Sequence, residues 1–320
     1  MRLATLHDGT PDGALVVVSP DGRRAARAER WPTLQAALEQ WEAAEAELRE
    51  CADAIAHAGG ASLDAGSLLA PLPRAWQWLD ASTYASHGAL MDRALGISPE
   101  RVDFPLMYQG VSDTFHAPFA DVPMADEALG IDFEGEFGVV VDRVPMGASR
   151  EEAGRHIRLL VQINDWSLRA LAGKEMKSGF GWVQAKPPCG MAPFAITPDE
   201  LGGAWRNFRP ALRLEVDWNG ERFGAADGEP MGYGFDELVA HAARTRTLVA
   251  GTVIGSGTVS NESYREVGSS CIAERRGIEI VDGGAARTEF MRFGDVVRME
   301  ARLPDGAAPF GFLEQKVVRP

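Results

Sequence analysis

The stretch Ile131-Asp132-Phe133-Glu134-Gly135-Glu136-Phe137-Gly138-Val139-Val140-Val141 sets two acidic side chains against an apolar, β-branched run. That composition predicts a single strand over Phe133–Val141. Side chains alternate across a strand, so Glu134 and Glu136 share one face, and Phe133, Phe137 and Val139 share the other. Two neighbouring like charges on one face are unfavourable unless something neutralises them. A hard divalent cation does so, and carboxylates suit Mg²⁺, Mn²⁺ or Ca²⁺ rather than zinc. A solvated strand face is the plainer alternative for a lone Glu-x-Glu.

Working outward, Leu159-Leu160-Val161-Gln162-Ile163 reads as a neighbouring strand. It follows a helix started by the capping pattern Ser149-Arg150-Glu151-Glu152. Asp165 falls where that strand ends, in Asn164-Asp165-Trp166-Ser167-Leu168-Arg169. It can present a functional carboxylate there or simply cap a helix. Further strands are expected over Ala211–Trp218, Thr252–Ile254, Gly277–Val281 and Val296–Ala301, with a helix near Phe235–Thr245. Strands dominate without βαβ regularity, which argues for a β-rich α+β fold and against Rossmann or TIM architectures.

The first 72 residues read differently. Ala14-Leu15-Val16-Val17-Val18 is a strand, and Ser19-Pro20-Asp21-Gly22 is a turn. Leu34, Leu38, Trp41, Ala44 and Leu48 recur at helical spacing until Gly59-Gly60. Ser67–Pro73 is an extended linker, because its prolines disfavour helix. The expected division is a small N-terminal domain over 1–72 and a catalytic domain over 73–320.

Composition narrows the function. The net charge of −14 argues against nucleic acid or an anionic membrane as partner. A small-molecule substrate fits better, and a bound cation can still attract an anionic one. The start of the chain does not read as a signal peptide, and no apolar run is long enough to span a bilayer. Three scattered cysteines, Cys51, Cys189 and Cys271, fit a reducing, cytoplasmic setting. Neither a G-x-S-x-G elbow at a strand-to-helix turn nor a phosphate-binding G-x-x-x-x-G-K-[ST] loop is present.

Further segments carry chemically able residues: Asp80 and His87 seven positions apart, Tyr108-Gln109-Gly110, Lys186-Pro187-Pro188-Cys189, and Ser256-Gly257-Thr258-Val259-Ser260. Taken singly, each has an ordinary structural explanation. Their order and spacing together, with Glu134-x-Glu136 and Asn164–Arg169, resemble the fumarylacetoacetate hydrolase family over roughly residues 75 to 320. That resemblance implies a mixed β-sandwich or roll catalytic domain with a small α+β N-terminal domain, usually assembled as a homodimer. It implies metal ligation, by Mg²⁺ first, through Glu134, Glu136 and Asp165, with Asp80 as a further ligand.

It further implies His87 as the general base, Glu274 as the carboxylate that orients it, and Lys186 as a catalytic cation. Tyr108, Arg169 and Thr258 would contact substrate. The implied activity is hydrolysis of a C–C bond in a 1,3-dicarbonyl or acylpyruvate, in the catabolism of aromatic compounds. A 2-keto acid hydratase or decarboxylase is the neighbouring alternative, and a non-catalytic metal-binding scaffold is the alternative from another class. The chain departs from the family pattern at Ser82, where a substrate-binding Tyr is expected, and at Ala172, where a Gln is expected. Both changes remove hydrogen-bonding reach toward substrate.

Overall fold

The computed structural model describes residues 1–96 and 102–320, so 97–101, part of the substrate-selecting loops expected between residues 82 and 120, lie outside the described residues. The fold is β-rich α+β. One eleven-stranded sheet carries the Glu-x-Glu segment, and a five-stranded sheet packs on one of its faces. The strand Gly135–Val141 is buried along its whole length. It pairs antiparallel with Ile157–Asn164 on one side and with Thr252–Gly255 on the other. Beyond these, Trp78–Ser82 pairs parallel with Thr252–Gly255 and antiparallel with Leu106–Gly110.

Burial on both faces explains the near-continuous apolar run. Phe137, Val139 and Val141 face Leu214, Val216 and Met299 of the smaller sheet in one core. Val140 on the opposite face joins Val161, Ile163, Trp41 and Leu48 in a second core. Gln162 stitches the two sheets together: its amide donates to the Met299 carbonyl at 3.1 Å and accepts from the Ala301 N–H at 2.8 Å. The strands of the first 62 residues extend the same large sheet, through Arg2–Leu6 pairing with Ala195–Ile196.

Several sequence expectations are corrected. The strand expected over Phe133–Val141 is broken: Ile131–Asp132 pairs with Ser167–Leu168, and the main strand starts at Gly135. The break frees Asp132 to turn toward another element. The helical run expected from Leu34 up to Gly59-Gly60 is two helices, Leu34–Glu39 and Trp41–Ala58, separated by Gln40 in a non-helical conformation. The strand expected at Gly277–Val281 lies inside a helix, Ile272–Gly283. The alternation of Ile278, Glu279 and Ile280 suggests a strand locally. Asp132 overrides it by accepting the Ile272 and Ala273 N–H groups at 2.7 and 2.9 Å, which caps the helix start. All three cysteines are free.

Candidate active site

The sheet order assembles the site. Asp165 follows the end of Ile157–Asn164, Glu136 sits near the start of the next strand, and Asp80 lies on Trp78–Ser82. The intervening strand contributes Gly255, paired with Asp80, and therefore no side chain in the way. Gly257, just beyond, has φ +80 and turns its N–H to Asp80 Oδ1 at 3.2 Å; a Cβ there would strike the Ala81 carbonyl. One carboxylate oxygen from each of Asp80, Glu136 and Asp165 lies within 4.8 Å of the others. All three residues are buried.

Glu136 is 0 % exposed, and among the described residues neither of its carboxylate oxygens has a hydrogen-bond partner. Burial, reinforced by Asp80 and Asp165, pushes its carboxyl well above the usual range. Burial and the charge of Asp165 do the same to Asp80. Two buried acids with so little compensation, Asp80 and Glu136, cost several kcal/mol of desolvation each, about the scale seen for unpaired interior ions. A hard divalent cation relieves that cost with oxygen donors of this kind, so the residues fit a metal.

Glu134 stands apart from this trio. Its two oxygens accept from Arg169 Nη2 at 2.5 Å and from Lys186 Nζ at 2.7 Å. Burial opposes its ionisation, but Lys186 and Arg169 outweigh burial and hold the carboxyl far below its ordinary value. Arg169 also donates through Nε to Asp132 at 2.7 Å. Lys186 bridges to Asp165 Oδ2 at 2.5 Å, and Tyr108 donates to that same oxygen at 2.9 Å. Desolvation lowers the tendency of Lys186 to hold its proton, yet Asp165 and Glu134 raise it further, so the ammonium stays charged.

His87 occupies the first turn of the helix Ala85–Leu95, with its Nδ1 3.7 Å from Glu274 Oε1. That is too long for a hydrogen bond. Glu274 instead accepts from the Ser260 hydroxyl, which accepts from Ser86 at 2.9 Å. Among the described residues His87 Nδ1 and Glu274 Oε2 have no hydrogen-bond partner. A cavity of about 590 Å³ joins these parts, with Asp80, Glu136, His87, Lys186, Arg169 and Thr258 among its lining residues. Ser82 and Ala172 also line it.

Three residues have roles that only the folded chain reveals. Asp132 anchors Arg169 as well as the helix start, and its role depends on the strand break. Cys189 donates its thiol to Asp165 Oδ1 at 2.9 Å, completing the shell around that carboxylate. Ser260 holds Glu274. Cys189 stands three residues after Lys186, and that spacing was the one available signal.

A family model described as "Fumarylacetoacetate (FAA) hydrolase C-terminal" matches residues 77–318, and "Fumarylacetoacetase N-terminal domain 2" matches residues 1–74. A 2,4-didehydro-3-deoxy-L-rhamnonate hydrolase from Sphingomonas sp. is 25 % identical over 157 residues, 48 % of this chain and 52 % of that protein. An oxaloacetate tautomerase from Bacillus subtilis is 28 % identical over 130 residues, 41 % of each chain. The chain thus aligns with about half the length of these curated relatives or less. Among solved structures, a maleylpyruvate hydrolase from Sphingobium sp., in complex with manganese(II) ion and pyruvate, superposes with TM-score 0.66 at 17 % identity. The match covers 100 % of this chain and 99 % of that one. A 5-carboxymethyl-2-hydroxymuconate delta-isomerase from Mycobacterium smegmatis gives 0.63 at 18 % identity, covering 100 % and 99 %. At these identities the superpositions speak for the fold. The family match over most of the chain agrees with a strand order that gathers buried acids at one sheet end, and both lead to one assignment: the protein is a member of the fumarylacetoacetate hydrolase family.

Proposed function

We propose that the protein is a divalent-metal hydrolase, with Mg²⁺ as its first metal, that cleaves the C–C bond of an acylpyruvate-type 1,3-dicarbonyl. The observation that carries this reading is Glu136: wholly buried, without a partner on either oxygen, and beside Asp80 and Asp165 in a cavity that also receives His87. Asp80, Glu136 and Asp165 would hold the cation, with Glu134 a further donor if its cations release it. When bound, the metal supplies Lewis acidity toward carbonyl oxygens. His87 takes a proton from water, and the charge of Glu274, 3.7 Å away, stabilises the imidazolium. The water oxygen bonds to the acyl carbon and the adjacent C–C bond breaks. The electron pair becomes the enolate of pyruvate, which His87 reprotonates at carbon. Lys186, charged and 7 % exposed, steadies the developing negative charge. The products are a carboxylic acid and pyruvate.

The test is pyruvate release from a series of acylpyruvates with and without EDTA. Oxaloacetate enol–keto exchange and decarboxylation, and hydration of 2-hydroxypentadienoate, are followed alongside. Metal-dependent pyruvate release that falls by on the order of 10²–10⁴ in His87→Ala is the expected result. Turnover confined to oxaloacetate or to the dienoate would replace hydrolysis with tautomerase, decarboxylase or hydratase chemistry. Metal-dependent melting without any turnover would leave a binding scaffold.

A further inference from the structure

The cavity changes character from floor to mouth. Its charged residues are at the buried end, with Asp80, Glu136 and Lys186 all below a tenth exposed. Toward solvent the lining becomes Leu106, Met107, Met176 and Trp182, and Leu106 and Met176 are each 56 % exposed. Trp182 is a fixed wall: its indole N–H donates to the Ala172 carbonyl at 3.1 Å, and its ring meets Tyr108 edge-on at 4.8 Å. Ser82 and Ala172, both short, leave this end of the cavity open.

Among the described residues, this end of the cavity has no cation that is not already bound to a protein carboxylate. Among the described residues the lining holds two obligate cations, Arg169 and Lys186, and both are bound to protein carboxylates. His87, the remaining titratable base, faces Glu274. Lys174 and Lys177 are on the exposed side of the helix Arg169–Ser178 and do not line the cavity. A carboxylate placed against Met107, Met176 and Trp182 would give up part of its hydration and meet no free cation among the described residues, because Lys186, whose Nζ lies 5.8 Å from the Trp182 ring centre, is already held by Glu134 and Asp165. An aryl or alkyl group there gains apolar burial and an aromatic contact.

We infer that the substrate's distal substituent, the part remote from the metal-facing keto acid, is uncharged and apolar, and that Trp182 and Met176 select it. This deepens the acylpyruvate reading and rests on it for the identity of the head group. It separates this chain's substrate from dicarbonyls that end in a second carboxylate.

The test uses the Mg²⁺-loaded full-length protein and calorimetry with three pyruvate-like probes: oxamate, N-phenyloxamate and N-(4-carboxyphenyl)oxamate. N-phenyloxamate should bind about 10–100-fold more tightly than the carboxylated probe, the scale of partly dehydrating one unpaired carboxylate. Met176→Arg, at a solvent-exposed position, should narrow or invert that ratio by supplying the missing cation. Trp182→Ala should erase the advantage of N-phenyloxamate over oxamate. Equal or tighter binding of the carboxylated probe by the native protein overturns the inference. Parallel turnover of benzoylpyruvate and its 4-carboxy analogue separates the two proposals. Pyruvate release with preference for the carboxylated substrate sinks the inference and spares the hydrolase. A phenyl preference in binding without pyruvate release does the reverse. No binding of any oxamate overturns both.

Discussion

Glu134 and Glu136 are two positions apart, yet the first has a cation on each oxygen and the second has no partner. The same contrast runs through their neighbours. Asp132 is bound by Arg169 and by two N–H groups of a helix start, whereas Asp80 accepts a single backbone N–H. Asp132 and Glu134 are therefore neutralised by the chain itself. Asp80 and Glu136 instead face a space in which Lys186 is bound to Asp165 and Glu134 and reaches neither Asp80 nor Glu136. Interior carboxylates are costly, so the unpartnered pair identifies where a cation from outside belongs. Asp165 joins the two pairs: Lys186, Tyr108 and Cys189 hold it from one side while it faces Glu136 and Asp80 on the other.

The largest effect should come from the unpartnered pair. Glu136→Ala is expected to abolish divalent-cation binding and metal-dependent turnover, read by calorimetry and by product formation. Near-normal turnover in that variant would break the comparison outright. Next comes the self-neutralised pair. Lys186→Met strips a cation from both Glu134 and Asp165, and should cost about 3–5 kcal/mol in denaturant unfolding of the metal-free protein. A loss under about 1 kcal/mol would mean that Lys186 contributes little to holding these acids. Cys189→Ala should weaken the metal about 10–100-fold by loosening Asp165, with Cys189→Ser recovering part of the affinity. An unchanged Kd would show that the thiol is only packed there.

The smallest effect sharpens the contrast by its sign. Asp80 and Glu136 have raised folded-state pKa values, so the metal-free folded chain keeps protons that the unfolded chain releases above about pH 4 to 4.5. Their contribution is fully present below those unfolded values and is lost as pH rises. Glu134 has a depressed pKa, so its contribution is present above its unfolded value of 4.5 and is lost on acidification. Saturating Mg²⁺ takes the place of the protons on Asp80 and Glu136. The Mg²⁺-induced rise in Tm should therefore grow from pH 5 to pH 8, and Glu136→Gln should flatten that growth. A Tm gain independent of pH would indicate that the acids are already ionised without metal.

The residue types and their order were legible in the chain because they depend on local rules. An apolar, β-branched run with acids at alternate positions declares a buried strand with one charged end. The spacing from Asp80 to Thr258 carried the family resemblance, and with it the β-rich fold. What local rules could not supply was pairing. The helix Ile272–Gly283 has a strand-like stretch around Ile278–Ile280 and is settled by Asp132, 140 residues away from Ile272. The division between Glu134 and Glu136 likewise depends on Arg169 and Lys186, which reach one and leave the other.

The sequence by itself determined that this protein has a β-rich core, a set of acids without enough nearby counterions, and the motif order of its family. Only the tertiary structure decided which acids stand together, which cations they already possess, and that the cavity above them ends in Met176 and Trp182. The physical reason is range. Alternation and helical period act over a few residues, whereas the cost of a buried charge is set by whatever long-range contacts bring to its side.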